Sequence, residues 1–225
     1  SNSYFYSIEL PKKIEGDLSR LTLAIIIPYK TINVSDSFVI PSNKLEGKSG
    51  HGEKKLYTRG NGKVGQDVSH LIPFMKLPQD KGVVVRGEFI IDKTIFKNKY
   101  QGSFANPRNF VAGAVNQKTI DKEKFNDIDF VIYEVIKPVM TPSKQLSHLG
   151  ESVIMVENET RTDITNDALS ELLVKWRDEY RYEIDGVICT DDKIYPRESG
   201  NPEHSFAFKM VLGDQMAEVK VTDVV

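Results

Sequence analysis

The sequence predicts an α+β fold with mainly antiparallel sheets flanked by helices. Three observations favour this class. Short segments rich in β-branched and aromatic residues recur along the chain, two segments carry apolar residues at helical spacing, and strands and helices do not alternate regularly. A doubly wound fold would require that alternation, because a crossover helix follows each parallel strand.

Each expected strand is bounded by turn-forming residues. The strand candidates are residues 21–27, 38–40, 55–59, 83–91, 129–136, 152–156, 184–189, 205–211 and 217–221. They outnumber the helices, so sheet dominates the predicted fold.

Two helices are predicted from capping residues and apolar spacing. Asn106 and Pro107 suit the N-cap and the first helical position, and an apolar face follows them. The second helix covers residues 165–180, where apolar residues recur every three or four positions. The residues expected to be buried are Phe110, Val111, Ala114 and Val115 in the first helix, and Leu169, Leu172, Leu173, Trp176 and Tyr180 in the second.

Composition is that of a folded domain. The chain has 225 residues, of which 40% are hydrophobic and 28% charged, with a formal net charge of -2. Any contact with nucleic acid must therefore come from a local basic face, such as residues 44–63 or 93–99. No apolar run is long enough to span a membrane. The single cysteine, Cys189, rules out an internal disulfide and favours a cytoplasmic or nuclear protein.

A glycine-rich segment, TRGNGKVGQD at residues 58–67, follows a predicted strand. Glycines let a backbone approach a ligand closely, and Arg59 adds a guanidinium that binds phosphate well. A plain glycine-rich hairpin is the alternative on composition alone.

Charged residues also interrupt apolar strands at three places. Arg86 and Glu88 share one face of a strand, Asp185 stands at the head of another, and Lys209 lies between hydrophobic neighbours. Such residues are costly to bury unless they are paired or line a site. We expect a polar cleft, with a structural ion pair as the alternative for Arg86 and Glu88. Together with the glycine loop, this set suits nucleotide binding and nucleotidyl transfer with a divalent metal.

These segments resemble the motifs of NAD-dependent DNA ligases. TRGNGKVGQDV is similar to the family's TRGDGxxGEDV, VRGEF to its VRGEV, and FANPRNFVAGAV to its FANPRNxxAGS. IDGVI and FAFKM resemble the last two nucleotidyltransferase motifs. The resemblance implies the nucleotidyltransferase (adenylation) domain fold over residues 31–225, whereas residues 1–30 match no motif and stay unassigned.

The resemblance also implies a role for each matching residue. The family's nucleophilic lysine, in a KxDG motif, attacks NAD and becomes lysyl-AMP, which passes AMP to the 5′-phosphate of a nick in double-stranded DNA. Here the match is KLEG, with Lys44 as the nucleophile and Glu46 in place of the aspartate. The other implied roles are ribose or metal binding for Glu88, adenine stacking for Tyr133, orientation of Mg²⁺ or the lysine for Asp185, contact with the α-phosphate for Lys209, and contacts with phosphates of cofactor or DNA for Arg59 and Arg108.

Several departures from the family pattern keep alternatives open. A second KxEG begins at Lys13, but a strand-like segment precedes Lys44 and its distance to the glycine loop is nearer the family's. The Glu46 side chain is one methylene longer than that of the family's aspartate. The segment from Lys44 to the glycine-rich loop at Thr58 is also shorter than in the family. Thr190 and Asn116 stand where lysine and arginine are usual. A degenerate domain that only binds nucleotide or nicked DNA is therefore the alternative function.

We also expect the flanking ligase domains to be needed for full activity. In the family, a separate N-terminal domain grips the nicotinamide half of NAD, and an oligonucleotide-binding domain follows the adenylation domain. The 225-residue chain is therefore expected to react slowly or not at all with NAD and not to seal nicks by itself.

Overall fold

A computed structural model describes residues 21–26, 37–39, 55–58, 67–78, 83–117, 119–149, 153–162, 164–196 and 202–209. The strands in this part are β1 (Leu21–Ile26), β2 (Ser37–Val39), β3 (Lys55–Tyr57), β4 (Val84–Ile91), β5 (Ile128–Lys137), β6 (Ile154–Met155), β7 (Asn158–Arg161), β8 (Gly186–Asp191) and β9 (Ser205–Phe208). The helices are α1 (Lys93–Lys99), α2 (Pro107–Val115), α3 (Lys122–Asn126), α4 (Pro142–His148) and α5 (Asn166–Glu179), and Ser69–Phe74 forms a 3-10 helix.

The strands form two sheets. One sheet has the order β7-β1-β8-β9 and the other has the order β3-β2-β4-β5-β6. Among the described pairs only β5 and β6 run parallel. The predicted α+β class with mainly antiparallel sheets is therefore confirmed. Strand β1, from the segment that matches no motif, lies inside the first sheet and pairs with both β7 and β8.

Two apolar cores lie on opposite faces of the five-stranded sheet. Val85, Phe89 and Ile91 of β4 join the first core with the apolar side of α2. Ile90, which points to the other face, joins the second core, where α5 and the four-stranded sheet pack. Glu88 shares the face of Ile90 because side chains alternate along a strand. This arrangement turns Glu88 towards the side of the molecule that carries β8 and β9.

Both predicted helical faces are confirmed. In α2, Asn106 caps the helix by accepting a hydrogen bond from the Asn109 amide at 2.8 Å. In α5, Thr165 accepts from the Ala168 amide at 3.1 Å. The side chains expected to be buried are buried, except that Tyr180 is only half-buried. No described helix is long and apolar enough to cross a membrane.

Other elements differ from the predictions. The sequence did not predict the 3-10 helix, α1, α3, α4 or β7, because these elements are short and their apolar residues show no clear period. The strand expected at 152–156 contracts to β6, and the one expected at 205–211 ends at Phe208 within the described residues. The candidate at 217–221 lies outside the described residues.

Helix α1 has a charged residue, Asp92, at its N-cap. The Asp92 carboxylate accepts hydrogen bonds from the amides of Thr94 at 2.7 Å and Ile95 at 3.3 Å, and it pairs with Arg181. Burial opposes ionisation of Asp92, but these hydrogen bonds and the nearby guanidinium outweigh it and lower the pKa of the carboxyl. The ionised form of Asp92 therefore stabilises the folded chain.

This lowered pKa predicts a pH-dependent stability. A depressed folded pKa gives stability that is present above the unfolded pKa of about 3.9 and is lost as the pH falls through the folded value. We expect Asp92→Asn to lower the free energy of unfolding by about 1–2 kcal/mol at pH 7. Urea unfolding at pH 7 and pH 3 should show that the difference from wild type narrows at pH 3. An equal difference at both pH values would contradict this account of Asp92.

Candidate functional site

Asp185 and Lys209, both predicted site residues, meet as an ion pair. Asp185 directly precedes β8 and Lys209 directly follows β9, and the register of these antiparallel strands pairs Val187 with Phe208. Lys209 Nζ donates to Asp185 Oδ2. The two side chains are 48% and 40% exposed, so the pair is open to a ligand.

Gly186 explains why the two strands come so close at this point. A Cβ atom on Gly186 would lie 2.5 Å from the carbonyl oxygen of Phe208 and 2.9 Å from Cγ of Lys209. Contacts this short are not tolerated, so only glycine fits without a shift of β9. The aspartate and the glycine of the IDG motif therefore act together: the glycine permits the approach, and the aspartate meets the lysine.

Glu88 and Tyr133 lie on the neighbouring strands β4 and β5 of the other sheet. The register shifts between Arg86 and Gly87, so that Arg86 lies opposite Glu134 and Gly87 opposite Ile132. Tyr133 is thus the extra residue of a bulge, a device that re-aims a side chain. Tyr133 is half-buried and packs against the second core, and Glu88 is half-buried with Oε2 shielded from solvent.

Arg86 forms a structural ion pair, the alternative to a role in the polar cleft. Its Nη1 lies 3.2 Å from Oε2 of Glu134 on the adjacent strand. Both side chains are about a third exposed, so the pair contributes modestly to stability. The pair joins β4 and β5 directly beside the bulge at Tyr133.

The second core connects the strands of Glu88 and Tyr133 with the strands beside Asp185 and Lys209. Tyr133 packs against the cluster that contains Val187, two residues after Asp185, and Phe208, directly before Lys209. Residues far apart in sequence, on two different sheets, thus border one packed region. A carboxylate and an aromatic ring lie on one sheet, and an acid–base pair lies on the other. These groups suit the sugar, base and phosphate of a nucleotide.

The remaining predicted residues are not grouped with these four. Arg108 is half-buried in the first turn of α2, and the apolar side of α2 packs on the opposite face of the five-stranded sheet from Glu88. Lys44, Glu46, Arg59 and the competing Lys13 lie outside the described residues.

Thr190, which stands where the family has a lysine, makes a neutral contact. Its hydroxyl lies 2.9 Å from the hydroxyl of Ser205 on β9. Lys193, the next lysine along the chain, pairs with the buried Asp191 at 3.5 Å. This part of β8 therefore carries a hydroxyl pair where a lysine side chain would supply positive charge. Cys189, directly before Thr190, is buried, and burial raises the pKa of its thiol to about 12.

The described residues offer carboxylates for a metal ion but no complete protein cage. In this part of the chain, no group of three or more histidine, cysteine, aspartate or glutamate side chains could hold a metal ion. Mg²⁺ commonly takes one or two carboxylates and completes its coordination with water and substrate phosphates. Glu88 and Asp185 have the donor chemistry for that kind of site.

Two solved structures have a similar fold. The structure named Pmar-Lig_Pre has a TM-score of 0.51 and 15% sequence identity, and the match covers 88% of this chain and 44% of that one. A second structure, Pmar-Lig_PreS3, gives a TM-score of 0.50 over the same shares of the two chains. At 15% sequence identity, these likenesses show a shared fold.

Sequence comparison then gives the family. Residues 48–209 match the family described as NAD-dependent DNA ligase adenylation domain, and the chain belongs to this family. The DNA ligase of Acanthamoeba polyphaga mimivirus is 39% identical over 196 residues, which are 80% of this chain and 30% of that protein. The DNA ligase of Lactobacillus gasseri is 30% identical over 187 residues, 72% of this chain and 28% of that protein. The chain thus spans less than a third of the length of these two relatives.

Proposed function

We propose that the chain is the adenylation core of an NAD-dependent DNA ligase, which forms lysyl-AMP and passes the AMP to the 5′-phosphate of a nick. The observation that carries the proposal is the Asp185–Lys209 pair, placed on strands that share one core with Tyr133. Membership of the family supports the same function. Residues 31–225 form the adenylation domain in this proposal, and β1 adds a strand to it from the preceding segment.

The proposed nucleotide pose follows the chemistry of each group. Adenine stacks on Tyr133, which the bulge of β5 aims and the second core supports. Glu88, on the adjacent strand, accepts hydrogen bonds from the ribose hydroxyls. Lys209 contacts the α-phosphate, where its ammonium offsets the negative charge that grows during transfer. Asp185 keeps its contact with Lys209 and so holds the ammonium beside the phosphate.

The covalent step uses Lys44. Its neutral amine attacks the α-phosphorus of NAD⁺, a nitrogen–phosphorus bond forms, and the pyrophosphate bond breaks. Nicotinamide mononucleotide leaves with the electron pair of that bond, and the proton lost by the amine passes to solvent. Arg59, in the glycine-rich segment that follows Lys44 in sequence, contacts phosphate oxygens.

Magnesium fits the proposed site. Glu88 and Asp185 would hold the ion, which neutralises phosphate charge when bound. In this proposal, Arg108 contacts the phosphates of nicked double-stranded DNA, since α2 is not grouped with the nucleotide residues. Flanking ligase domains, in the part of the relatives' length that this chain does not span, complete the grip on NAD and on the nick.

Intact-mass spectrometry after incubation with NAD⁺ and magnesium tests the proposal. We expect slow addition of one AMP, and peptide mapping should place it on Lys44. Lys13→Ala should still be modified, whereas Lys44→Arg should stay unmodified. Label on Lys13 would overturn the assignment of the nucleophile. An unmodified chain that binds AMP in calorimetry would favour the degenerate, binding-only function. No label and no AMP binding would overturn both.

A further inference from the structure

We infer that Tyr182, together with Arg181, is a positioning unit for Asp185 and sets the spacing between the two sheets at the nucleotide site. We call these two residues the latch. The inference rests on the proposed function, because it concerns the same site. The latch lies in the short connection between α5, which ends at Glu179, and β8, which begins at Gly186.

Tyr182 anchors the connection from within the core. Its side chain is fully buried in the second core, and its hydroxyl donates to Asp129 Oδ2 at 2.6 Å. Burial and the neighbouring carboxylate of Asp129 raise the pKa of the Tyr182 hydroxyl. The hydroxyl therefore stays protonated and remains a donor. A hydrogen bond from a buried phenol to a carboxylate is among the stronger kinds in proteins.

Arg181 anchors the same connection from the surface. Its Nε lies 3.1 Å from Asp92 Oδ2 and its Nη2 lies 3.4 Å from Asp129 Oδ2. Its backbone carbonyl accepts a hydrogen bond from the Lys93 amide at 3.0 Å. The guanidinium also lies 4.9 Å from the centre of the Tyr182 ring. Arg181 and Tyr182 thus share the Asp129 carboxylate, and Arg181 also pairs with Asp92.

Asp92 and Asp129, the two carboxylates that the latch contacts, lie close in sequence to the proposed nucleotide-binding residues of the other sheet. Asp129 lies on β5, four residues before Tyr133, and Asp92 follows β4, four residues after Glu88. The latch therefore ties the approach to β8 directly to the two strands that carry the nucleotide-facing residues of the other sheet. Asp185 follows Tyr182 by three residues. The next residue, Gly186, packs closely against Phe208 and Lys209, so the chain is also held directly after Asp185. Loosening the latch would shift Asp185 relative to Glu88 and Tyr133.

The variant Tyr182→Phe tests this inference against a matched control. Tyr100→Phe removes a bond of the same kind and length, from the Tyr100 hydroxyl to Asp127 Oδ2 at 2.6 Å, on the side of the first core. We expect both variants to lose similar amounts of thermal stability. Only Tyr182→Phe should lower the single-turnover rate of lysine adenylation at saturating NAD⁺, by about tenfold, because small misplacements near a reacting centre are costly. The NAD⁺ concentration for half-maximal rate should change less than about twofold.

Equal rates in the two variants, or a loss confined to NAD⁺ affinity, would overturn the positioning role. Amide hydrogen exchange in residues 183–187 gives a second readout that needs no activity. Faster exchange there in Tyr182→Phe than in Tyr100→Phe supports the latch, and equal exchange overturns it. If wild type shows neither adenylation nor AMP binding while this exchange difference is present, the proposed function fails and the latch stands as a structural device.

Discussion

Lys209→Met is expected to slow lysine adenylation by about a hundredfold to a thousandfold, the range measured when one donor to a developing negative charge is removed. Methionine keeps much of the side-chain length and removes the ammonium that pairs with Asp185. The variant should fold, because Lys209 is 48% exposed and exposed ion pairs contribute little to stability. Single-turnover kinetics with adenylate-labelled NAD⁺ measures the effect.

A lysine elsewhere gives the matched control. Lys175 on α5 also pairs with an acid, with Nζ 3.9 Å from Glu179 Oε2, and it is 62% exposed. Lys175→Met should adenylate at the wild-type rate. If Lys209→Met reacted within about threefold of wild type, Lys209 would have no place in the chemistry, and the assignment of the Asp185–Lys209 pair to the phosphate would fail.

Gly186→Ala is expected to slow adenylation by about a hundredfold, the loss that follows a misplacement of about 1 Å. The added methyl would lie 2.5 Å from the Phe208 carbonyl oxygen, so β9 must move away from β8. That movement separates Asp185 from Lys209. Overpacking of this kind also lowers the free energy of unfolding by about 1–3 kcal/mol. Rate measurements well below the unfolding midpoint separate the two effects.

Gly113→Ala is the control for this substitution. Among the described residues, a Cβ atom on Gly113 would meet only Phe104, at 3.9 Å, which is ordinary contact. Alanine inside helix α2 should raise stability by about 0.5–1 kcal/mol and leave the adenylation rate unchanged. A wild-type rate in Gly186→Ala would show that the close approach of β8 and β9 has no role in catalysis.

Elements with strong local signals were predictable from the sequence. Helix α2 has its cap, its proline and an apolar face within ten residues, and α5 carries four turns of regular apolar spacing. Helices α1, α3 and α4 have five to seven residues each, too few to show a period. Their ends are fixed partly by distant groups. The Ser143 amide in α4, for example, donates to Asp192 beyond β8 at 2.8 Å.

The residues of the candidate site could be proposed from the sequence, but their geometry could not. Charged residues inside apolar strands indicate Glu88, Asp185 and Lys209 from the sequence alone. The bulge at Tyr133 could not be foreseen, because register depends on which residues of two strands meet. The latch was missed for the same reason. Tyr182 and Asp129 are 53 positions apart, and no sequence pattern links them.

A crystal structure of the chain with AMP tests the central claim most directly, namely that these separated residues surround one nucleotide. The account predicts adenine against the Tyr133 ring, ribose hydroxyls within hydrogen-bond distance of Glu88, and the phosphate beside Lys209 with Asp185 still in contact with that lysine. AMP bound at another face of the molecule, with these four side chains untouched, would contradict it.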